Sequence, residues 1–576
     1  MSNLSPEVER RRRLVTRALP LILIALVAFA IGAVVGMPGS PEKEAAGRFV
    51  DAWERDEFAA MYKELNPSSQ QQIALNDFVI AYREAEEVAT LRSLEADSPG
   101  DSESLNGQTV VTVPITTAMV AFGTTKSELE LSFEEGGIAW DPSLVFPGLR
   151  RGEHLENQIE LAPRAAILAA DNSPLAEGPA EARSHPLGSA AVDVTGEVGI
   201  DEEADPEVLA HRGLSPDTPA GISGLELAFN ARLTGRPGGS LLAIGEGGSE
   251  RTIAKAEPRA GAPVKTTIDP DLQEAAVSAL AGRFGGIAVL DTRKGDIRAL
   301  AGYAFSAPQP PGSTFKMITT TAALQKGVVS LDDEFEIVDG VNVGGRFIEN
   351  ANGELCGGTF REAFAESCNA DFAPLGPAIG NDELVEAAER FGFNSPPTLY
   401  ASRILAHVNP KMSTIPTEIG EEIDLGVSAI GQGEVLATPL QMASVAQTIA
   451  NGGVRQPTSI VANRKLRPEM EPVRVMSPKI AKELTELMVG VVTGGTGTAG
   501  AIAEAQVAGK TGTAELGPKP GEEEEEHPEQ IKDAWFAAFA PAEKARLAVG
   551  VLLIEAEAAG GEVAAPTAAE VLSAGL

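Results

Sequence analysis

A serine and a lysine one helical turn apart are the pair of residues in this chain best suited to chemistry. The stretch 310–316 reads Pro-Pro-Gly-Ser-Thr-Phe-Lys, and an apolar helical pattern follows it. Residues three apart on a helix share one face, so the amine of Lys316 can reach the oxygen of Ser313. The partial positive charge at a helix N-terminus lowers the proton affinity of such an amine. A serine beside a neutral amine is an activated nucleophile.

The same spacing also occurs at a place where no chemistry is expected. Ser40 and Lys43 match the pattern directly after an apolar run, with Pro41 behind the serine. A hydroxyl and a proline at the start of a helix are ordinary initiation signals, so an isolated Ser-x-x-Lys is most simply a capped helix with a surface lysine. The pair at 313 and 316 therefore needs companion motifs before it indicates a site.

Two later motifs supply those companions. Ser-Cys-Asn at 367–369 follows Ser313 in the chain, and Lys-Thr-Gly-Thr at 510–513 follows both. Ser-x-Asn is weak by itself, because Ser-Leu-Asn at 104–106 also fits it, whereas Lys-Thr-Gly occurs once. Ser-x-x-Lys, then Ser-x-Asn, then Lys-Thr-Gly is the ordered triple of the penicillin-recognising acyl transferases.

The words around these motifs make the resemblance specific. They are Ala-Gly-Lys-Thr-Gly-Thr-Ala-Glu at 508–515, Ala-Trp-Phe-Ala-Ala-Phe-Ala-Pro at 534–541, Ile-Gly-Gln-Gly at 430–433 and Thr-Pro-Leu-Gln-Met-Ala at 438–443. Residues 266–576 thus resemble the transpeptidase domain of a penicillin-binding protein. The resemblance implies an α/β domain in which an antiparallel sheet is flanked by helices.

The resemblance also implies a role for each motif residue in a peptidoglycan D,D-transpeptidase. Ser313 would attack the carbonyl of a D-alanyl-D-alanine stem peptide and release the terminal D-alanine, with Lys316 as its base. Ser367 would pass a proton between Lys316 and the leaving amine, and Asn369 would hold the peptide amide. Lys510 would supply positive charge near the substrate carboxylate.

The strand that carries the last motif would bind substrate. Thr511 and Thr513 would offer hydroxyls to the carboxylate, and Gly512 would allow the strand to bend. The backbone N–H groups of Ser313 and Thr513 would form the oxyanion hole, in which one donor is typically worth about 10²–10³ in rate.

Composition and charge exclude several other classes of protein. The chain has 576 residues and a formal charge of −36, which argues against nucleic acid as a partner because acidic chains repel phosphate. No Cys-x-x-Cys or histidine-rich spacing indicates a metal, and we expect no cofactor. No Gly-x-Ser-x-Gly elbow supports a Ser-His-Asp hydrolase. The acidic run Glu522–Glu526 is predicted to be a solvated loop.

The N-terminal segment predicts a membrane anchor. Residues 1–17 are basic, and Ala18–Met37 gives twenty residues without a charge, long enough to cross a bilayer. Arginines before the run place the N-terminus in the cytoplasm. A cleaved signal peptide is the competing interpretation, but its apolar core should be shorter. We expect a single-pass protein of the bacterial cell membrane, with everything from Pro38 onward outside.

Two further domains are expected between the anchor and residue 266. Helical spacing over 42–62 and 76–88, then alternating strands, make 41–147 similar to the NTF2-like domain of many class B penicillin-binding proteins. Residues 148–265 resemble the pedestal or dimerisation domain of that family. Its Arg-Gly-x-Ile word stands here as Arg-Ala-Ala-Ile at 164–167, so the local turn departs from the family pattern. The expected architecture is a multidomain α+β protein behind a single transmembrane helix.

Three functions fit these features. The first is a monofunctional class B D,D-transpeptidase, which would act on peptidoglycan stem peptides, be acylated by β-lactam antibiotics and work beside a membrane glycan polymerase. The second is a β-lactam-hydrolysing or β-lactam-sensing protein of the same superfamily, which the anchor, the extra domains and the absence of a Glu-x-x-Leu-Asn motif disfavour. The third is a non-catalytic scaffold, which the intact motif triple disfavours.

The two cysteines are expected to be joined. Thr359 and Glu362 form a capping box, which predicts a short helix from Phe360 to about residue 367. At about 1.5 Å rise per residue, Cys368 would lie roughly 12 Å from the start of that helix. Bridged Cα atoms lie about 4.4–6.8 Å apart, so Cys356 must fold back along the helix, which the glycines after it permit. The alternative is two free thiols, one of them buried beside the site.

Overall fold

The computed structural model describes residues 40–105, 107–405, 411–518 and 530–576. The tail 1–17, the anchor Ala18–Met37 and the loop Glu522–Glu526 lie outside the described residues. Within the described part, no helix is long and apolar enough to cross a membrane.

Residues 41–160 contain four helices and six strands. The helices are α1 (Pro41–Trp53), α2 (Phe58–Lys63), α3 (Pro67–Gln72) and α4 (Leu75–Val88). The strands are β1 (Leu91–Ala96), β2 (Glu103–Leu105), β3 (Gln108–Met119), β4 (Gly123–Glu134), β5 (Gly137–Ile138) and β6 (His154–Glu160).

The start of α1 gives the first Ser-x-x-Lys pair a structural role. The Ser40 side chain accepts a hydrogen bond from the backbone N–H of Lys43, and the Lys43 amine pairs with Asp101 at 2.7 Å. A serine that caps a helix satisfies one of its unpaired N–H groups. The interpretation of this pair as a capped helix with a surface lysine is confirmed.

Helical and alternating patterns produce the expected elements in this region. Phe49, Val50 and Trp53 are buried on one face of α1. The helix predicted over 42–62 is interrupted at 54–57, because this charged stretch has no apolar side chain to bury and forms a turn. Strands β1, β2, β3, β4 and β5 form an antiparallel sheet against these helices.

Residues 163–265 alternate short strands and helices. In chain order they are β7 (Ile167–Leu168), β8 (Pro174–Ala176), α5 (Ser189–Thr195), β9 (Val198–Gly199), α6 (Pro206–His211), β10 (Ala220–Gly221), α7 (Gly224–Ala228), α8 (Asn230–Thr234), β11 (Gly238–Ile244), β12 (Glu250–Ala256) and β13 (Val264–Lys265).

The described chain divides into two compact units, and the stretch 148–265 contributes to both. Strands β6, β11 and β12 form one sheet in the first unit, which runs to residue 162 and includes 203–216 and 236–259. Strands β7, β8 and β13 form another sheet in the second unit, which holds the rest. The stretch predicted as one pedestal-like domain is therefore shared between two hydrophobic cores.

Residues 266–576 carry the candidate chemistry. Their helices are α9 (Pro270–Leu280), α10 (Lys316–Lys326), α11 (Phe360–Glu366), α12 (Asn369–Phe372), α13 (Leu375–Ile379), α14 (Asn381–Phe391), α15 (Ser402–Leu405), α16 (Glu422–Ala429), α17 (Pro439–Ala450), α18 (Pro478–Gly494) and α19 (Gly560–Gly575). Their strands are β14 (Gly285–Asp291), β15 (Ile297–Gly302), β16 (Glu334–Val338), β17 (Gly340–Val343), β18 (Arg346–Glu349), β19 (Cys356–Thr359), β20 (Val454–Arg455), β21 (Val473–Arg474), β22 (Ala508–Pro518), β23 (Gln530–Ala540) and β24 (Leu547–Ala556).

A five-stranded antiparallel sheet organises this unit, in the order β15-β14-β24-β23-β22. Its central strands are apolar at successive positions because helices cover both faces. Trp535 packs into the core that contains α17 and α18, while the next residue, Phe536, packs into the core that contains α9 and α19. Side chains alternate between the two faces of a strand, so neighbouring residues pack into different cores. The predicted antiparallel sheet flanked by helices is confirmed.

A buried charge cluster holds two segments of the second unit together. The carboxylate of Glu226 is fully buried and accepts hydrogen bonds from Arg164 and Arg183, each at 2.7 Å from the guanidinium Nε. Arg164 also donates to Asn230 and Thr234. Removing one member of a buried ion cluster leaves the other charges uncompensated.

We expect Glu226→Gln to lower the free energy of unfolding by about 3–5 kcal/mol, because two buried guanidinium groups lose their shared carboxylate. Urea denaturation followed by circular dichroism measures the loss. The control is Glu486→Gln, which removes an exposed partner of Arg361 and should cost about 1 kcal/mol or less. Equal losses in the two variants would contradict the assignment.

Candidate active site

The three motifs found in the sequence meet at one place in the second unit. The amine of Lys316 donates to the carbonyl oxygen of Ser367 at 2.7 Å and to Asn369 Oδ1 at 2.8 Å. The amine of Lys510, on β22, donates to Ser367 Oγ at 2.8 Å. Residues far apart in the chain thus form one hydrogen-bonded network around Ser367.

Ser313 lies in a tight turn directly before α10. The 3₁₀ turn Gly312–Phe315 leads into the helix, and Gly312 has a positive φ of 51°. A Cβ at this glycine would lie 2.5 Å from the carbonyl oxygen of Thr513, so only glycine allows the turn to approach β22 this closely. Ser313 is half-buried at this junction, and its hydroxyl makes no hydrogen bond within the described residues.

The amine of Lys316 is directed at the second motif. It lies 3.4 Å from Ser367 Oγ, and no hydrogen bond between Lys316 and Ser313 is present in the described part of the chain. The side chain is fully buried, with its amine 5.1 Å from the centre of the Phe372 ring. Burial and the like charge of Lys510 lower the pKa of Lys316 well below its usual value, and Asp371 opposes this shift. The site therefore favours a neutral amine at Lys316.

Lys510 is also buried. The family resemblance predicted that its charge lies near a substrate carboxylate. Its amine donates to Ser367 Oγ and, at 3.2 Å, to the carbonyl of Thr511. The amine lies 5.6 Å from the centre of the Phe364 ring. Burial lowers the pKa of Lys510 to about 7. Ser367 Oγ consequently lies between two amines that gain or lose protons readily.

The second motif is fixed by the helix before it and by the disulfide. Thr359 and Glu362 form the expected capping box, and α11 ends at Ser367 in the left-handed conformation. Cys356 and Cys368 are bonded, with their Cα atoms 5.8 Å apart, which confirms the predicted link. The Asn369 amide donates to the carbonyl of Glu349 at 3.0 Å. Backbone and side chains of the motif are thereby held toward α10.

The third motif lies on β22, the edge strand of the sheet. Thr511 Oγ1 is 2.6 Å from Thr496 Oγ1, and Thr513 Oγ1 accepts a hydrogen bond from the backbone N–H of Gly560. A Cβ at Gly512 would lie 2.7 Å from the carbonyl oxygen of Pro311, so the strand and the turn that contains Ser313 are in close contact. Because Thr513 only accepts in this bond, its hydroxyl proton remains available to a ligand.

Asp371 is a residue of this site that the sequence analysis missed. Its side chain is 5% exposed, and its Oδ2 atom has no hydrogen-bond partner in the described part. Burial raises the pKa of this carboxyl to about 6, and the positive charge of Lys316 opposes the rise. The available signal was an acidic residue two positions after Asn369, on a helix too short to be recognised from its pattern.

Within the described residues, no group of three or more His, Cys, Asp or Glu side chains is placed to hold a metal ion.

Comparison with protein families gives three matches in chain order. The NTF2-like N-terminal transpeptidase domain matches residues 41–153, the penicillin-binding protein dimerisation domain matches 178–266, and the penicillin-binding protein transpeptidase domain matches 285–573. The last match covers half of the chain.

Individual relatives agree with these matches. Peptidoglycan D,D-transpeptidase PbpA of Mycolicibacterium smegmatis is 38% identical over 295 residues, 47% of this chain and 56% of the relative. Peptidoglycan D,D-transpeptidase FtsI of Escherichia coli is 27% identical over 395 residues, 62% of this chain and 64% of the relative. The aligned part spans little more than half the length of the PbpA relatives.

Solved structures extend the likeness to the fold. Penicillin-binding protein A from M. tuberculosis, as a ceftriaxone acyl-enzyme complex, superposes with a TM-score of 0.56 at 28% identity, covering 72% of this chain and 98% of that structure. A D,D-transpeptidase domain from Eggerthella lenta gives the same TM-score, identity and coverage. With an NTF2-like domain, a dimerisation domain and a transpeptidase domain in this order, the chain belongs to the class B penicillin-binding proteins.

Proposed function

We propose that this protein is a peptidoglycan D,D-transpeptidase that acts through an acyl-enzyme on Ser313. The observation that carries the proposal is the convergence of the Ser313 turn, the Lys316–Ser367–Lys510 network and the edge strand β22. The names of the PbpA and FtsI relatives and the acyl-enzyme title of the solved neighbour support it.

In the first step the Ser313 oxygen bonds to the carbonyl carbon of the penultimate D-alanine, and its proton passes to Lys316. The lowered pKa of Lys316 supports this role, because a neutral amine can accept a proton at neutral pH. Catalytic hydrogen bonds often form only with substrate bound, so the free Ser313 hydroxyl is compatible with the role.

In the second step the C–N bond to the terminal D-alanine breaks, and the leaving nitrogen takes up a proton. Ser367 donates this proton and regains one from Lys316, to which its oxygen is 3.4 Å away. Lys510, hydrogen-bonded to the same oxygen, tunes the proton affinity of Ser367. The amine of a second stem peptide then attacks the acyl-enzyme, which forms the crosslink and frees Ser313.

Substrate binding falls to the edge strand and Asn369. The N–H groups of Ser313 and Thr513 stabilise the oxyanion, which the contact between Gly312 and the Thr513 backbone supports. Thr511 and Thr513 hold the carboxylate, Gly512 lets the strand approach the turn, and the amide of Asn369 binds the peptide.

The surroundings of the enzyme belong to the same proposal. Ala18–Met37 anchors the chain once in the bacterial cell membrane, and the catalytic part lies outside the cytoplasm, which the uncharged run after a basic tail supports. A membrane glycan polymerase supplies the glycan strands whose stem peptides are crosslinked. β-Lactams acylate Ser313 in place of the stem peptide.

Treatment with benzylpenicillin should add the mass of one penicillin to the wild-type protein and none to Ser313→Ala, because among the described residues only Ser313 combines a free hydroxyl with a position beside the lysine network. Intact-mass spectrometry measures the adduct, and Ser40→Ala serves as the control that keeps it. An adduct on Ser313→Ala would refute the assignment. Loss of a fluorescent penicillin label within minutes, rather than hours, would identify a β-lactam hydrolase instead.

Replacing Asp371 by asparagine should shift the acid limb of the pH–acylation profile to lower pH. The ionised carboxyl raises the pKa of Lys316, so its removal makes the neutral amine available at lower pH.

Since the folded pKa of Asp371 is raised to about 6, the carboxyl costs stability as pH rises through that value, and the variant should be more stable at pH 7 but not below about pH 4.

The matched control for this experiment is Asp533→Asn. Asp533 is equally buried, and burial also raises its pKa to about 6, but neither lysine of the site contributes to that shift. Stopped-flow acylation across about pH 5–8, a range that brackets the pKa of about 6 shared by the two carboxyls, compares the two variants. If both variants move the acid limb equally, Asp371 does not act through Lys316.

Reduction of the Cys356–Cys368 bond should slow penicillin acylation, because the tether fixes Ser367 and Asn369 on either side of Cys368. A loop this short constrains the unfolded chain by about 3 kcal/mol at most, so the thermal midpoint should fall modestly. Second-order acylation rates with and without reductant test this. Cys356→Ser should already be slow and should not respond to reductant, and wild-type rates in that variant would contradict the prediction.

A further inference from the structure

A small cavity in the second unit is lined by two cationic side chains and by no carboxylate. Arg455 and Lys411 line it, together with hydroxyl, amide and apolar groups. In a chain with a net charge of −36, a site with only positive charges is unexpected. None of its lining residues belongs to the three motifs of the candidate active site.

Arg455 brings the positive charge into the interior. It lies on β20, and its guanidinium makes no ion pair or hydrogen bond within the described residues. The Nε atom is fully buried without a partner. Burial lowers the pKa of Arg455, and no acidic neighbour opposes that shift. Burying an unpaired charge is costly, and proteins normally pair such a charge or bind a counter-ion beside it.

Two hydroxyls of the cavity can also donate hydrogen bonds. Ser413 and Ser444 are buried, at 4% and 6% exposure, and neither hydroxyl donates a hydrogen bond within the described part. Ser413 Oγ accepts from the backbone N–H of Thr438 at 3.1 Å, which leaves its proton unused. Helix α17 begins here at Pro439. The backbone N–H of Gln441 is already bonded to Thr438 Oγ1, so the helix adds positive potential rather than free donors.

We propose that this cavity binds one small oxyanion, such as inorganic phosphate or sulfate, between Arg455, Lys411, Ser413 and Ser444. Guanidinium groups bind such oxyanions through two parallel hydrogen bonds, and the two hydroxyls and the amine supply the other donors.

The space in the cavity is small. About 20 Å³ is open to the centres of water-sized atoms, and one such atom needs about 10–15 Å³. An inorganic oxyanion suits this space better than a phosphate ester, whose substituent needs further room.

The bound ion would stabilise the framework behind the nucleophile turn. Thr438 follows Ala437, which exchanges two backbone hydrogen bonds with Gln309 at 2.8 and 2.9 Å. Gln309 precedes the turn that carries Ser313. A ligand that binds only the folded state stabilises it by RT ln(1 + [L]/Kd), so the unfolding temperature keeps rising with the logarithm of the ligand concentration even when the site is full.

The test is thermal unfolding of the full-length protein in detergent, with increasing inorganic phosphate or sulfate at constant ionic strength set by chloride. We expect the unfolding temperature to rise with the logarithm of the concentration of either oxyanion, and equilibrium dialysis with radiolabelled phosphate to saturate at one bound equivalent. Binding that does not saturate at one equivalent, or a rise in unfolding temperature that chloride reproduces, overturns the proposal.

Variants locate the effect. Arg455→Gln should weaken phosphate binding by at least about tenfold, since it removes a charged hydrogen-bonding partner. Lys411→Gln, at an exposed position, and Ser444→Ala should weaken phosphate binding less. If Arg455→Gln does not fold, these two variants still test the site. Arg293→Gln, on the exposed turn between β14 and β15, is the matched control and should bind as wild type does.

Two outcomes would contradict the inference. Equal phosphate binding by the wild type and all three cavity variants would place the ion elsewhere. Tighter binding of glycerol 3-phosphate than of inorganic phosphate would show that the cavity accepts an ester and not a free ion.

Discussion

Two lysine amines are buried around the hydroxyl of Ser367, and the candidate active site depends on this arrangement. Burial removes both amines from water and so lowers the proton affinity of Lys316 and of Lys510, and the positive charge of Lys510 lowers that of Lys316 further. The network can therefore hold and move a proton at neutral pH without histidine. The Asn369 amide, the Asp371 carboxyl and two aromatic rings compensate part of the cost of burying these amines.

The rest of the second unit serves to hold this network in place. Helix α10 brings Lys316 from one layer, the disulfide and capping box fix Ser367, and the edge strand β22 brings Lys510. Each comes from a different element, so no local segment can form the site alone. Packing of helices against both faces of the antiparallel sheet sets the distances between them.

Buried charge is handled in three ways within the same unit. The carboxylate of Glu226 pairs with two arginines. The two lysines of the candidate active site have a lowered proton affinity. Arg455 has neither a carboxylate partner nor another acceptor in the described residues. An arginine cannot lose its proton in the accessible pH range, unlike a lysine. This difference is the reason why we propose an external anion for the cavity at Arg455 and none for the site at Lys316.

The sequence by itself determined the motifs, the order of the domains and most of the elements that carry the chemistry. Local rules suffice for these features: apolar periodicity predicted the helix after Ser313, alternation predicted strands after residue 88, and the capping box predicted α11. Two cysteines with glycines after the first also sufficed to predict their bond.

Only the tertiary structure decided where each polar group points. Lys510 lies on Ser367 because the edge strand β22 and helix α11 both pack against α18, and Asp371 belongs to the site because a four-residue helix turns its carboxyl inward. The division of 148–265 between two cores and the cavity at Arg455 likewise depend on contacts between distant segments. Burial and like-charge repulsion act through space, so the proton affinities that make the site reactive are set by the fold and not by the spacing of residues along the chain.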